Sequence, residues 1–302
     1  MANFVLIGVF VLLGMLFRRL EAFPKETSQV LNMFALYVAL PALVLLKVPE
    51  LNFSGEMLTA ALLPWGILLF SAVAVLAAAR LFRWPRATVG VLLLVVPLGN
   101  TSFMGVPMVQ AFFGEAGLPY LIIYDQIGTM LTFSTYGSLI LAIYGKGGSL
   151  NLPAIARRGI LFPPTLALLA GFALRPWPYP DAVVSALQNT SLALIPLVMT
   201  AIGFQMRWRL QPRVLAPLGF GLGIKLVAAP LAALLLCRLL GLHGLPADIP
   251  IFEAGMPPMV TAGALAVVAG MEAELAVSLV GVGIILSFGT LPLLYFLLQW
   301  WP

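Results

Sequence analysis

At 302 residues, 62% hydrophobic, only 9% charged and with a mean hydropathy of +1.07, the chain is too apolar for a soluble domain and reads as a set of membrane-spanning helices. Its apolar runs are continuous rather than alternating, which excludes a membrane β-barrel, and its single cysteine, Cys237, excludes an internal disulfide and a cysteine metal centre. The net charge of +5 does not call for nucleic acid, because excess Lys and Arg in such a chain mark cytoplasmic loops.

Apolar runs and their breakers predict ten spans, at about 3–18, 28–47, 56–79, 88–112, 118–144, 159–175, 182–206, 214–240, 250–270 and 275–299. The first has no basic leader and no small-residue cleavage site, so it is expected to be a retained helix rather than a signal peptide. Arg18, Arg19 and Lys25 follow the first span, Arg80, Arg83 and Arg86 the third, Lys146, Arg157 and Arg158 the fifth, and Arg207, Arg209 and Arg213 the seventh. Twelve of the sixteen cations thus fall on one side, and the positive-inside rule puts both termini outside the cytoplasm. Trp177, Trp300 and Trp301 sit at outer ends, as an aromatic belt requires.

The polar interval 146–158 divides the chain into a five-helix first half, 1–145, and a five-helix second half, 159–302. An odd number of spans per half forces the second to insert upside down. The fourth span contains G-N-T-S-F-M-G-V-P-M (99–108) and the ninth A-G-M-P-P-M (254–259). Aligning Pro107 with Pro257 places Gly105 on Gly255, with Met256 and Pro258 beside it. The second and seventh spans carry central prolines, Pro41 and Pro196, each preceded by an asparagine, Asn32 and Asn189. Matched Gly/Pro interruptions in two halves are a sequence pointer to a transporter site built from broken helices. Breaks are expected near 103–107 and 254–258. Backbone groups freed there need partners, and Asn100, Thr101, Ser102 and Thr261 are positioned to cap them or to meet a solute.

These stretches resemble the auxin efflux carrier family. G-N-T-S-F-M-G-V-P followed by F-F-G (112–114) resembles its fourth helix, and N-M-F-A-L-Y-V-A-L-P-A-L (32–43), which includes Tyr37, its second. I-K-L-V-A-A-P-L (224–231) resembles its eighth helix and E-A-G-M-P-P-M (253–259) its ninth. The resemblance implies an all-α membrane protein of ten transmembrane helices, arranged as two inverted five-helix repeats with broken helices four and nine crossing, as in bile-acid symporters and sodium/proton antiporters. It further implies Asn100, Pro107 and Pro257 at the crossing and Pro41 and Pro196 on a scaffold against which the remainder moves. Substrates of bacterial members imply a small carboxylate such as malate or malonate.

Three ionisable residues fall within spans, where charge is costly and functional by default: Lys225, Asp125 and Glu253. Lys225 is read as pairing with Asp125, capping half-helix carbonyls, or attracting an anion; pairing is favoured, because a permanently charged lysine needs a permanent partner. Asp125 is read as that partner or as a proton carrier, and Glu253 as an interfacial carboxylate facing water. The lone histidine, His243, is in a loop, and no nucleophile–base or metal-ligand pattern points to an enzyme.

The expected protein is therefore a secondary transporter of a small organic anion, a carboxylate or auxin-like acid, in the bacterial inner membrane. It is expected to use no cofactor and no nucleic acid, with H+ or Na+ as candidate coupling ion and a homodimer as candidate assembly. The alternative is a sodium- or proton-coupled cation antiporter of the same fold.

Overall fold

The structure, a computed structural model, describes residues 2–50, 55, 57–146, 161–205 and 212–301. The expected connecting loop at 146–158, and with it Arg157, Arg158, Arg207 and Arg209, lies outside the described residues except for Lys146. All regular structure among the described residues is helical: α1 Ala2–Phe17, α2 Thr27–Lys47, α3 Met57–Phe82, α4 Arg86–Val95, α5 Val106–Phe112, α6 Glu115–Tyr144, α7 Pro163–Leu174, α8 Asp181–Gln205, α9 Pro212–Leu239, α10 Leu245–Ala254, α11 Val260–Val268 and α12 Ala273–Trp300. Six of these, α2, α3, α6, α8, α9 and α12, are long and apolar enough to cross a bilayer by length and composition. The protein is an integral membrane protein.

Contacts divide the chain into two compact units, each drawing on both sequence halves. One comprises residues 1–53, 102–122 and 158–207. Its central packing is α1 against α8, where backbones meet without side chains between them. A Cβ on Gly14 would lie 2.1 Å from the Thr200 carbonyl oxygen, and one on Gly203 would lie 2.0 Å from the Val11 carbonyl oxygen. In a membrane, where lipid removes the hydrophobic drive between helices, such close approach supplies association through van der Waals contact. Within the same unit Lys47, at the end of α2, reaches Glu115 at 2.6 Å.

The other unit comprises residues 54–101, 123–157 and 208–302. Its core is built on α4, in which Thr88 through Val95 are all buried; a helix apolar all round belongs in the centre of its unit. Leu92, Val96, Leu222, Leu226, Ala262 and Leu279 pack together around it.

Three prolines within the apolar spans follow a locally widened turn. One-turn π-helical segments at Ala35–Ala39, Thr101–Gly105 and Ile224–Ala228 each end two residues before a proline: Pro41, Pro107 and Pro230. Proline has no N–H, and its ring clashes with the carbonyl one turn back; an extra residue in that turn relieves the clash and re-aims the side chains it carries. Two more π turns, Tyr124–Met130 and Phe133–Gly137, interrupt α6 without a proline.

The Gly203 contact is testable. Gly203→Val forces backbones apart and should destabilise the detergent-purified protein by about 3 kcal/mol or more, the upper range for overpacking. Gly8→Val is the control, since a Cβ there meets nothing within 4 Å and should leave the melting temperature nearly unchanged.

Candidate functional site: the paired helix breaks

Two stretches of non-helical backbone are buried in the second unit. One, 96–100, follows α4, and the other, 255–259, lies between α10 and α11. The second is where the sequence places it. The first is not at 103–107: Gly105 ends a π turn, and Pro107 sits in the first turn of α5, where its missing N–H costs nothing. The interrupting residue is Pro97, which bars the preceding Val96 from continuing the helix. Pro97 and Gly99 are the signal that the Pro107 alignment passed over.

The two stretches satisfy one another. Gly99 lies opposite Pro258 in an antiparallel pair, with the Asn100 N–H donating to the Pro257 carbonyl at 2.8 Å and the Met259 N–H to the Leu98 carbonyl at 3.0 Å. This reciprocal pairing matches residue 99 with 258, not 107 with 257. On the far side, a Cβ on Gly283 of α12 would stand 2.6 Å from the Pro258 ring, so the second break is braced by helix backbone.

The freed carbonyls at the end of α10 are also accounted for. Phe252 O accepts from Gly255 N–H at 3.1 Å and Glu253 O from Met256 N–H at 3.0 Å. Ala254 O accepts from the Lys225 ammonium at 3.1 Å. Lys225 is only 1% exposed, and its position in the π turn of α9 directs it to the partially negative C-terminal end of α10. Gly99 admits it: a Cβ there would lie 3.1 Å from Nζ.

The pairing expected between Lys225 and Asp125 does not form. The Asp125 carboxylate instead accepts from the Thr101 hydroxyl and from Gln126 Nε2, the latter at 2.7 Å. Asp125 and Gln126 share the π turn Tyr124–Met130, and both are buried. Gln126 was passed over in the sequence, where only its adjacency to Asp125 marked it. Glu253 is not an interfacial carboxylate facing water. It is 0% exposed, because α10 is buried on every side from Ile249 to Ala254, and neither of its carboxylate oxygens has a hydrogen-bond partner among the described residues.

The remaining candidates separate. Asn100 and Thr101 lie at the first break, both buried, and the Asn100 Nδ2 has no acceptor among the described residues. Ser102 is buried at the start of the π turn that follows. Gly255, Met256, Pro257 and Pro258 form the second break, all buried. Thr261 is exposed on α11 and takes no part in the break, because the helix resumes at Val260 and turns its side chain outward. Asn32, Tyr37, Pro41, Asn189 and Pro196 belong to the other unit. There Tyr37 and Asn189 are exposed, while Pro41, Asn32 and Pro196 are half-buried.

The paired breaks bring together one ammonium, two carboxyls and one amide, polar groups that are costly in a membrane-spanning chain and mark the candidate site. The model of a family described as membrane transport protein matches residues 1–295 of this chain. The chain belongs to that family, which contains the auxin efflux carriers. It is 29% identical over 293 residues to an uncharacterized transporter of Methanothermobacter thermautotrophicus, covering 94% of each chain. It is 27% identical over 297 residues to an uncharacterized transporter of Methanocaldococcus jannaschii, covering 94% of this chain and 92% of that one. The buried breaks therefore belong to a membrane transporter.

Loss of a donor to the buried Asp125 carboxylate should be costly. Thr101→Val is expected to destabilise the transporter by about 1.5–3 kcal/mol, the range for a hydrogen bond to a charged group. Thr261→Val, on an exposed position, should stay within about 0.5 kcal/mol. Thermal melts of the two variants in detergent compare them directly.

Proposed function

We propose that this transporter is a secondary carrier of a small organic anion, a carboxylate such as malate or malonate or an auxin-like acid, bound at the paired breaks and moved by alternating access. In this reading the chain crosses the bacterial inner membrane ten times as two inverted five-helix repeats. α4 with α5 and α10 with α11 are then the two broken, crossing spans, and both termini lie outside the cytoplasm. The reciprocal hydrogen bonds between 98–100 and 257–259 support the repeat reading, because two segments related by a two-fold axis pair in this manner. The cation distribution supports the orientation.

The observation that carries the anion reading is Asn100. Among the described residues its Nδ2 is a buried donor without an acceptor, and it adjoins Gly99, the residue against which the Lys225 ammonium packs. An unsatisfied buried donor costs about 1–3 kcal/mol, and a carboxylate is the acceptor that would recover it most fully. Lys225, held by a neutral carbonyl rather than an ion-paired carboxylate, leaves its charge available to the same ligand. The cation-antiporter alternative draws its support from Glu253, whose two oxygens are equally orphaned.

Asn100→Leu decides between a ligand-binding and a structural amide. For an anion held by Nδ2, malate or malonate affinity of the purified protein should fall on the order of tenfold or more, the equivalent of about 1.5 kcal/mol. Its melting temperature should hold or rise, since an orphan donor has been removed. Asn100→Asp should bind the anion more weakly still. Wild-type affinity in both variants, or binding of sodium with no response to any carboxylate, would sink the anion reading.

A further inference from the structure

We propose that Glu253 is the proton-carrying residue of this transporter: it is held as the neutral acid while the site is closed to water and releases its proton when the site opens and the anion leaves. The proposal rests on the anion reading above for its role in coupling, but the proton site stands on geometry of its own. An ionised carboxylate buried in an apolar interior survives only when hydrogen-bonded or paired. Asp125 meets that condition, with Thr101 and Gln126 each donating to one of its oxygens. Glu253 does not: it is fully buried, no donor reaches either oxygen among the described residues, and no ion pair joins it to Lys225. Two carboxyls in the same unit, one satisfied as an anion and one bare, divide the roles between them.

The charged groups acting on Glu253 are Lys225 from α9 and Asp125 from α6, and Glu253 in turn acts on the Tyr124 hydroxyl of α6. With Asp125 ionised, Lys225 charged and Tyr124 neutral, a neutral Glu253 leaves the site with no net charge, and an ionised one leaves it at −1. A monoanionic ligand raises the deficit to −1 or −2 respectively. Protonation of Glu253 is therefore favoured by arrival of the anion, and by reciprocity the proton favours the anion. On release, the Glu253 O–H bond breaks, its electron pair stays on the carboxylate, and the proton passes to water on the open side. Anion and proton then travel together.

Sodium is the rival occupant of a bare carboxylate, and the surroundings disfavour it. The neighbouring carbonyl, Ala254 O, is already taken by the Lys225 ammonium, a cation that repels a second one. No cluster of three or more His, Cys, Asp or Glu side chains placed to hold a metal ion is present among the described residues.

The test reads the proton directly. In infrared spectra of the full-length protein in detergent, the wild type should show at neutral pH the carbonyl band of a protonated carboxyl. Glu253→Gln should lack it, and Glu253→Asp should restore it with a moved titration midpoint. Over the pH range in which that band titrates, malate affinity should strengthen about tenfold per unit fall in pH, the slope for one linked proton, and Glu253→Gln should show no slope. A band unchanged in Glu253→Gln overturns the proposal. So does a wild type without the band that is stabilised by sodium through Glu253. Should Glu253→Gln not yield monodisperse protein, the band in Glu253→Asp decides, and an unmoved midpoint overturns the assignment. If the band behaves as expected but neither malate nor malonate binds, the anion reading fails and the proton site stands. Anion binding that depends on Asn100 but not on pH has the reverse meaning.

Discussion

A peptide group released from a helix inside an apolar interior must find its partner in the protein, since lipid offers none. The site of this transporter follows from that constraint. Pro97, Pro257 and Pro258 prevent two helices from continuing, and each break exposes donors and acceptors that would cost several kcal/mol apiece if left bare. Each segment supplies what the other lacks. Asn100 N–H reaches Pro257 O, and Met259 N–H reaches Leu98 O, so the breaks persist because there are two of them.

The side chains around the breaks answer the same demand. Lys225 completes the accounting of carbonyls at the end of α10, and it can do so only because residue 99 has no side chain. Bringing an ammonium there from α9, and a carboxylate and amide from α6, takes helices whose turns are locally widened; both stretches are π-helical where the polar residues sit. The polar inventory is then nearly closed. Its open terms are the Asn100 amide, a donor, and the Glu253 carboxyl, an acceptor or a proton holder. Among the described residues the buried site is thus otherwise satisfied and keeps one unmatched donor and one unmatched acid.

The legibility of this site in the sequence was uneven, for reasons that differ by residue. The second break was readable because two adjacent prolines permit no alternative. The first was displaced because Pro107 and Pro97 are both helix breakers in principle, and a proline in the first turn after a break is harmless while one at its start is decisive. Composition cannot tell those positions apart. Lys225 and Asp125 were legible as buried charges, and carbonyl capping was one reading open for Lys225, but not which partner each takes: hydrophobicity marks depth, whereas partnership depends on where a side chain points. Glu253 was misread for a related reason. It sits before the break and near the predicted outer end of a span, and only the burial of α10 on all sides removes it from water. Thr261 erred in the other direction, two residues past the break and already on an outward face.

By itself the sequence determined that this is a helical membrane protein, which segments are apolar enough to lie in a bilayer, that the chain belongs to a transporter family, and where the second break falls. These are properties of local composition and of motifs a few residues long, and local chemistry suffices to express them. The tertiary structure alone decided which proline breaks the first helix, that 99 faces 258, that Lys225 holds a carbonyl and not Asp125, and that Glu253 has no hydrogen-bond partner among the described residues. Each of these is a matter of which distant backbone group fills a vacancy left by another. A hydrogen bond between residues about 160 positions apart, such as that between Asn100 and Pro257, leaves no periodicity or spacing along the chain from which it could be read.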